Sequence, residues 1–206
     1  AVAPANQNDQ SSSVAKTASS ESPEPNAVAY AYKENDKDPY TIYYRPAKGG
    51  DRKEALKLDR DITPQWKDAR GTNVAFSTSD GLYVSTDSGK TYKKIVKLVA
   101  GKDITSVKFS IENDKLAYGY IDQEVNKNTL KEVSLDGTNS KDLFTTTAGG
   151  VFVYGWSSKQ QKIIYGEGCY YCDGGVSKYL SYDLAAKKAT ELSLADQGQY
   201  VTQVAV

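Results

Sequence analysis

The sequence predicts an all-β fold: a β-propeller of about four blades, each a four-stranded antiparallel meander. Three observations carry this. The stretch 106–120, SVKFSIENDKLAYGY, recurs on both sides of itself. Shifted by 47, Val107, Phe109, Ser110, Lys115, Leu116, Ala117, Tyr118 and Gly119 fall on Tyr154, Trp156, Ser157, Lys162, Ile163, Ile164, Tyr165 and Gly166. Shifted back by 88, Ser110, Glu112, Leu116, Ala117, Tyr118 and Tyr120 fall on Ser22, Glu24, Val28, Ala29, Tyr30 and Tyr32. Second, Ala29, Ala75 and Ala117, then Ile164, are separated by 46, 42 and 47 residues, the period of propeller blades. Third, from Asn26 onward the chain is a series of short alternating runs rich in Tyr and Val, punctuated by Gly, Asn, Asp or Pro, which favours strands and tight turns.

Residues 1–25 are poor in aromatic and branched apolar side chains and rich in Ser, Ala, Asn and Pro. Such composition buries too little apolar surface to offset backbone ordering, so a flexible linker is expected there, with the propeller domain at 26–206. The first repeat offers three strands, near 27–33, 40–45 and 55–58. The second reads as 63–67, 73–77, 82–85 and 92–98, with Trp66 answering Phe109 and with Val74, Ala75 and Phe76 answering Leu116, Ala117 and Tyr118. The third reads as 104–111, 115–121, 130–135 and 141–145, with turns at Asn113-Asp114 and Asp136-Gly137, residues that tolerate tight or left-handed backbone. The fourth reads as 151–158, 162–166, 178–184 and 190–194. Val201, Thr202, Val204 and Val206 match Ile104, Thr105, Val107 and Phe109 at a shift of 97. Residues 200–206 therefore either close a four-bladed ring as the inner strand of the first blade or open a fifth blade of a larger propeller.

The 206 residues carry 26 basic and 26 acidic side chains, so no electrostatic footprint for nucleic acid exists. Histidine is absent from the sequence, which removes Ser-His-Asp and Cys-His catalysis and histidine metal sites; no cofactor and no metal are expected. Methionine is absent too, so the expectation is a processed form with a signal peptide or anchor upstream of Ala1. No run of eighteen apolar residues is present to span a membrane.

Cys169-Tyr170-Tyr171-Cys172 sits between GEG and DGG at the predicted tip of the hairpin joining the second and third strands of the fourth repeat. Zinc would need two further ligands, and a redox site would place the first cysteine at a helix start. A small disulfide clamp between Cys169 and Cys172 is the favoured reading, with intermolecular or redox chemistry as the alternatives. Tyr170 and Tyr171 have no strand partner in the pattern and are the expected exposed anchors for a partner, whereas most of the 16 tyrosines sit at alternating strand positions and read as packing. The run 33–38, KENDKD, lacks the glycine and terminal glutamate of a calcium loop and reads as a solvated hairpin. Asp59 and Asp61 give no glycosidase pair.

FSIENDKLAY, WSSKQQKIIY and SPEPNAVAY resemble the WD40-like repeats of TolB-type propellers, whose signature is close to FSPDGKKIAY. Separately, Ser85-Thr86-Asp87-Ser88-Gly89-Lys90-Thr91-Tyr92 resembles the Asp-box, S-x-D-x-G-x-T-W, with tyrosine for tryptophan. That resemblance implies a hairpin turn between the third and fourth strands of a blade. Asp87 would accept backbone hydrogen bonds, Gly89 would permit positive φ, and Tyr92 would pack on the neighbouring blade, with Ser85 and Thr91 completing the turn. A sialidase is not implied, because the four arginines, Arg45, Arg52, Arg60 and Arg70, are confined to two repeats.

The expected function is non-catalytic: an extracellular or cell-surface propeller that binds a protein or glycan through loops on a rigid scaffold. The TolB-type resemblance also permits the gating propeller of a larger secreted hydrolase or peptidase. A structural subunit of a surface layer or appendage is the remaining alternative.

Overall fold

The computed structural model describes residues 28–45, 49–147, 149–168 and 176–193. The linker expected at 1–25 and the closing strand expected at 200–206 lie outside them. Among the described residues the chain is all-β and forms four antiparallel sheets in chain order. The first holds β1 (Val28–Tyr32), β2 (Thr41–Arg45) and β3 (Lys53–Lys57). The second holds β4 (Lys67–Arg70), β5 (Asn73–Thr78), β6 (Gly81–Ser85) and β7 (Lys93–Lys97). The third holds β8 (Lys102–Phe109), β9 (Lys115–Asp122), β10 (Lys127–Ser134) and β11 (Lys141–Thr146). The fourth holds β12 (Gly150–Ser157), β13 (Lys162–Gly168), β14 (Val176–Asp183) and β15 (Lys188–Glu191). Each is a meander of sequential neighbours.

Register makes the sheets equivalent. Tyr118 on β9 faces Lys131, Phe76 on β5 faces Tyr83, and Tyr30 on β1 faces Tyr43. The strand β1 is therefore the second strand of its sheet by repeat position, and the first sheet shows three strands, as its sequence pattern predicts. The charged run after β1 is a solvated turn, with Lys33 paired to Asp36 at 3.1 Å and Asn35 donating to Asp38 at 2.7 Å.

Two details of the second sheet depart from the sequence reading. Its first strand begins at Lys67 instead of residue 63, and Arg70 pairs with Asn73 across a two-residue turn in which Gly71 has φ 58°. Ala69, opposite Val74, thus occupies the place of Phe109, opposite Leu116, and of Trp156, opposite Ile163. Trp66 lies before the strand, where Gln65 and Trp66 both hydrogen-bond the backbone of Ser77. The shorter turn moved the register by three residues, and the one aromatic in the region drew the sequence alignment to the wrong position.

Among the described residues the apolar side chains form three clusters, each between consecutive sheets. Ile42, Leu56 and Leu58 meet Ala69, Val74 and Phe76. Leu82 and Val84 meet Ile104, Val107, Phe109 and Leu116. Ala117 and Leu130 meet Val151, Val153, Trp156 and Ile163. Because side chains alternate along a strand, Leu116 and Tyr118 face backward while Ala117 faces forward. The recurrent alanine has a steric cause: Ala75 shares its cluster with Phe109, and Ala117 shares its cluster with Trp156.

Polar stitches repeat the same order. Asp68 on β4 is 5% exposed and accepts from the Phe109 amide and from Lys108 Nζ, both at 2.8 Å. Glu112, in the turn after β8, accepts from Ser157 Oγ at 2.6 Å, from the Ser158 amide at 2.8 Å and from Ser158 Oγ at 2.9 Å.

Candidate functional site

The leading strands of the later sheets run toward one place. Gln65–Lys67 before and at the start of β4, Ser106–Lys108 of β8, and Phe152–Tyr154 of β12 line a common cavity of about 630 Å³, completed by Ala29 of β1 and by Val176 and Tyr179 of β14. All four sheets contribute to it, so they are arranged about an axis, and among the described residues the main packing joins each sheet to its neighbour in sequence.

This is a β-propeller. No protein-family model and no curated protein matches the chain. Solved structures do. TolB from Acinetobacter baumannii superposes with a TM-score of 0.55 at 17% identity over 82% of this chain and 41% of that one. A chain of the nidogen/laminin complex gives 0.54 at 13% identity over 75% and 57%. Prolyl oligopeptidase B from Galerina marginata gives 0.51 at 10% identity over 81% and 24%. The chain thus spans between about a quarter and three-fifths of the length of those chains.

Within the propeller the axial cavity is mainly aromatic and apolar. Trp66 and Phe152 meet edge to face with ring centroids 6.0 Å apart, joining blades two and four across the axis. Tyr154 and Tyr179 form a second pair at 5.3 Å. Tyr154 is the residue left out of register in β12, between Val153 and Gly155, and is 37% exposed. Bulges re-aim a side chain in this way. Burial raises the Tyr154 hydroxyl well above its ordinary range, assisted by Tyr179, so it stays protonated as a hydrogen-bonding group.

Among the described residues two lysines reach the cavity. Lys108 is neutralised by Asp68 at 2.8 Å. Lys67 Nζ donates to the Gln65 carbonyl at 2.9 Å, and burial lowers its pKa. Ser106 Oγ is engaged with the backbone of β12, accepting from Val153 at 2.8 Å and donating to Val151 at 3.3 Å. The arrangement offers stacking surface, a hydroxyl pair and one cation. A second, more polar hollow of about 340 Å³ lies on blade one, walled by Tyr32, Thr41, Tyr43, Glu54 and Lys57. Arg52 stacks over Tyr43 at 4.7 Å beside it.

Cys169, Tyr170, Tyr171 and Cys172 lie outside the described residues, in the connection between Gly168 and Val176, which pair with each other. That connection therefore joins the second and third strands of blade four, and Val176 at its end lines the cavity. Residues 85–92 join β6 to β7. Asp87 accepts from Ser85 Oγ at 2.9 Å, from the amides of Lys90 at 3.1 Å and Thr91 at 3.0 Å, and from Thr91 Oγ1 at 2.6 Å. These bonds, the one from the Thr91 hydroxyl foremost, hold its carboxyl at about 2. Gly89 has φ 78°, and a Cβ there would lie 1.8 Å from the Ala55 carbonyl oxygen. The Tyr92 ring packs on Phe76 and Tyr83 of its own blade, against the cluster that blade two shares with blade one, and its hydroxyl reaches Asp59. Gly89 makes a further tight cross-blade contact.

Sequence reasoning missed Trp66, Phe152, Tyr154 and Tyr179 as a site. Trp66 read as the counterpart of Phe109, and the others fell within the strands expected at 151–158 and 178–184. The usable signal was that Phe152 and Tyr154 are large aromatics at positions where the third repeat has Thr105 and Val107.

Proposed function

We propose that this chain is a non-catalytic, TolB-like binding propeller that acts outside the cytoplasm or at the cell surface and receives a protein or glycan partner at its axis. One observation carries the reading: rings from different blades converge on a single preformed hollow, the usual form of a binding site on a rigid scaffold. Tyr170 and Tyr171, on the connection that ends at Val176, extend the site as partner anchors in this reading, and a Cys169–Cys172 disulfide would hold their loop. The turn at 85–92 serves as a structural Asp-box, since the Asp87 carboxylate is occupied by the turn itself. The TolB and nidogen/laminin likenesses support an envelope or extracellular setting at the level of fold.

The test is a benzoylphenylalanine photocrosslinker at Tyr154, at Tyr170 and, as a remote control, at Lys188, in cells of the source organism. Adducts are expected at the first two positions and not the third, and they should fall when Trp66→Ala is added. Adducts at Lys188 alone, or at none of the three, overturn the reading.

A second reading has one observation in its favour: the likeness to prolyl oligopeptidase B, of which the chain covers 24%. In that case the propeller would be the gating part of a larger hydrolase, with the axial hollow as the passage. A hydrolase domain in the same mature polypeptide would establish it.

A further inference from the structure

We infer that the axial cavity takes a carboxylate carried on an apolar or aromatic body, with Lys67 as the residue that receives the charge. The inference rests on the reading of this cavity as the binding site and adds the chemistry of its occupant.

The aromatic residues fix the body of the ligand. Trp66 with Phe152, and Tyr154 with Tyr179, give the walls two separate ring pairs, and Val176 adds an aliphatic side chain to the lining. Such a lining rewards a flat or apolar group. The volume of about 630 Å³ admits an aryl-alkanoic acid or the last few residues of a peptide.

The lysines fix the charge. Lys108 already has Asp68, a carboxylate held in addition by the Phe109 amide. Lys67 has only a backbone carbonyl, and no ion pair joins it to a carboxylate among the described residues. Its ammonium is partly withdrawn from water, which is why its pKa falls. A desolvated cation without a counter-charge is stabilised by an anion that enters beside it and is left uncompensated by a neutral ligand. One uncompensated cation matches a monoanion. A phosphate would bring a second negative charge into an apolar hollow with nothing to receive it.

The experiment is calorimetric titration of the full chain at pH 7 with matched probes: 3-phenylpropionate against 3-phenylpropionamide, and one apolar tetrapeptide with a free against an amidated C-terminus. In each pair the acid is expected to bind about tenfold tighter or more, the usual worth of one charge-assisted hydrogen bond. Lys67→Met should abolish the difference within a pair, and Lys67→Arg should keep it, which separates loss of charge from loss of fold. A tighter free-acid tetrapeptide would assign the site to a chain terminus, and a tighter phenylpropionate to a small acid; either supports the inference. Equal binding of acid and amide, an acid preference that survives in Lys67→Met, or no binding of any probe at millimolar concentration overturns it. Acid binding that requires removal of residues 194–206 overturns it too, because the hollow would then belong to the chain's own end. The crosslinking result is independent: adducts at Tyr154 together with equal acid and amide binding leave the axial binding site standing and remove only its charge assignment.

Discussion

Asp68 illustrates how single polar residues hold this propeller together. Its carboxylate is buried at the seam of blades two and three and receives the Phe109 amide and Lys108 Nζ. Removing it leaves a backbone donor without a partner inside the protein, an outcome that costs more than the hydrogen bond itself contributes. Asp68→Ala is expected to lower unfolding free energy by about 2–4 kcal/mol, because both a desolvated amide and a lysine lose their acceptor. Asp68→Asn keeps an acceptor for the amide and should cost only about 1 kcal/mol. Urea denaturation of the three proteins checks this. Equal losses for both variants would mean that the negative charge matters and the amide bond does not. None of this was readable in the sequence, where Asp68 is one acid among many; its role depends on the three-residue displacement that places Ala69 opposite Val74.

At the scale of strands the repeat is more regular in space than in sequence. In blades one, two and three the outermost strand carries one extra residue at the same register point, between Ile42 and Tyr43, Leu82 and Tyr83, and Leu130 and Lys131 of the preceding strand. A bulge increases local twist, which outer strands of a blade require. Residues Ala55, Ile95 and Leu143 share no identity that would announce it. The second strands were legible because they must alternate between two buried faces, whereas the first strand of blade two was not, since a two-residue turn changed its phase. Identical residues in the repeat also differ in duty. Gly119 and Gly166 match in sequence, yet a Cβ on Gly119 would lie 2.0 Å from the Val151 carbonyl oxygen and 2.1 Å from Thr105 Oγ1, in the seam with blade four. On Gly166 it would meet side chains of Val176 and Tyr154 at the edge of the cavity, at 2.5 and 3.0 Å. Gly119→Ala is therefore expected to destabilise by about 3 kcal/mol, as overpacking against fixed backbone does, and Gly166→Ala by about 1 kcal/mol, as its neighbours move into open space. Thermal unfolding of both variants decides it, and a larger loss for Gly166→Ala would show that the cavity wall is the more rigid of the two.

For the whole molecule, the fold was legible because stacking identical modules demands a period, and a period survives divergence. The axial hollow was not, because it is assembled from positions where the repeats disagree: at the shift of 47, Phe152, Tyr154 and Tyr179 stand where the third repeat has Thr105, Val107 and Glu132, and Trp66 precedes the strand in which Ala69 takes the place of Phe109. The response of the assembled propeller to acid follows from where its carboxylates sit. Burial pushes the Glu112 carboxyl up, but the bonds from Ser157 and Ser158 outweigh it and bring the group to about 2, against an ordinary value of 4.5. Asp80, held first by Lys94 and then by Thr78, and Asp87, held first by Thr91, are likewise at about 2 against 3.8. A carboxyl depressed by folding stabilises the native state above its unfolded pKa and loses that contribution as pH falls through the folded one. With no histidine in the chain, stability is expected to be flat from about pH 6 to 8 and to decline between about pH 5 and pH 2. Glu112 acts between blades three and four, so Glu112→Gln should lower the urea midpoint at neutral pH and make the acid limb shallower, because one linked proton is removed from it. Midpoints measured at intervals from pH 7 to pH 2.5 test this. Parallel curves for the two proteins would show that the Glu112 charge is not coupled to folding, and that the seam between the last two blades is held by its apolar cluster and by its other polar bonds, such as those of Ser106 to the backbone of β12.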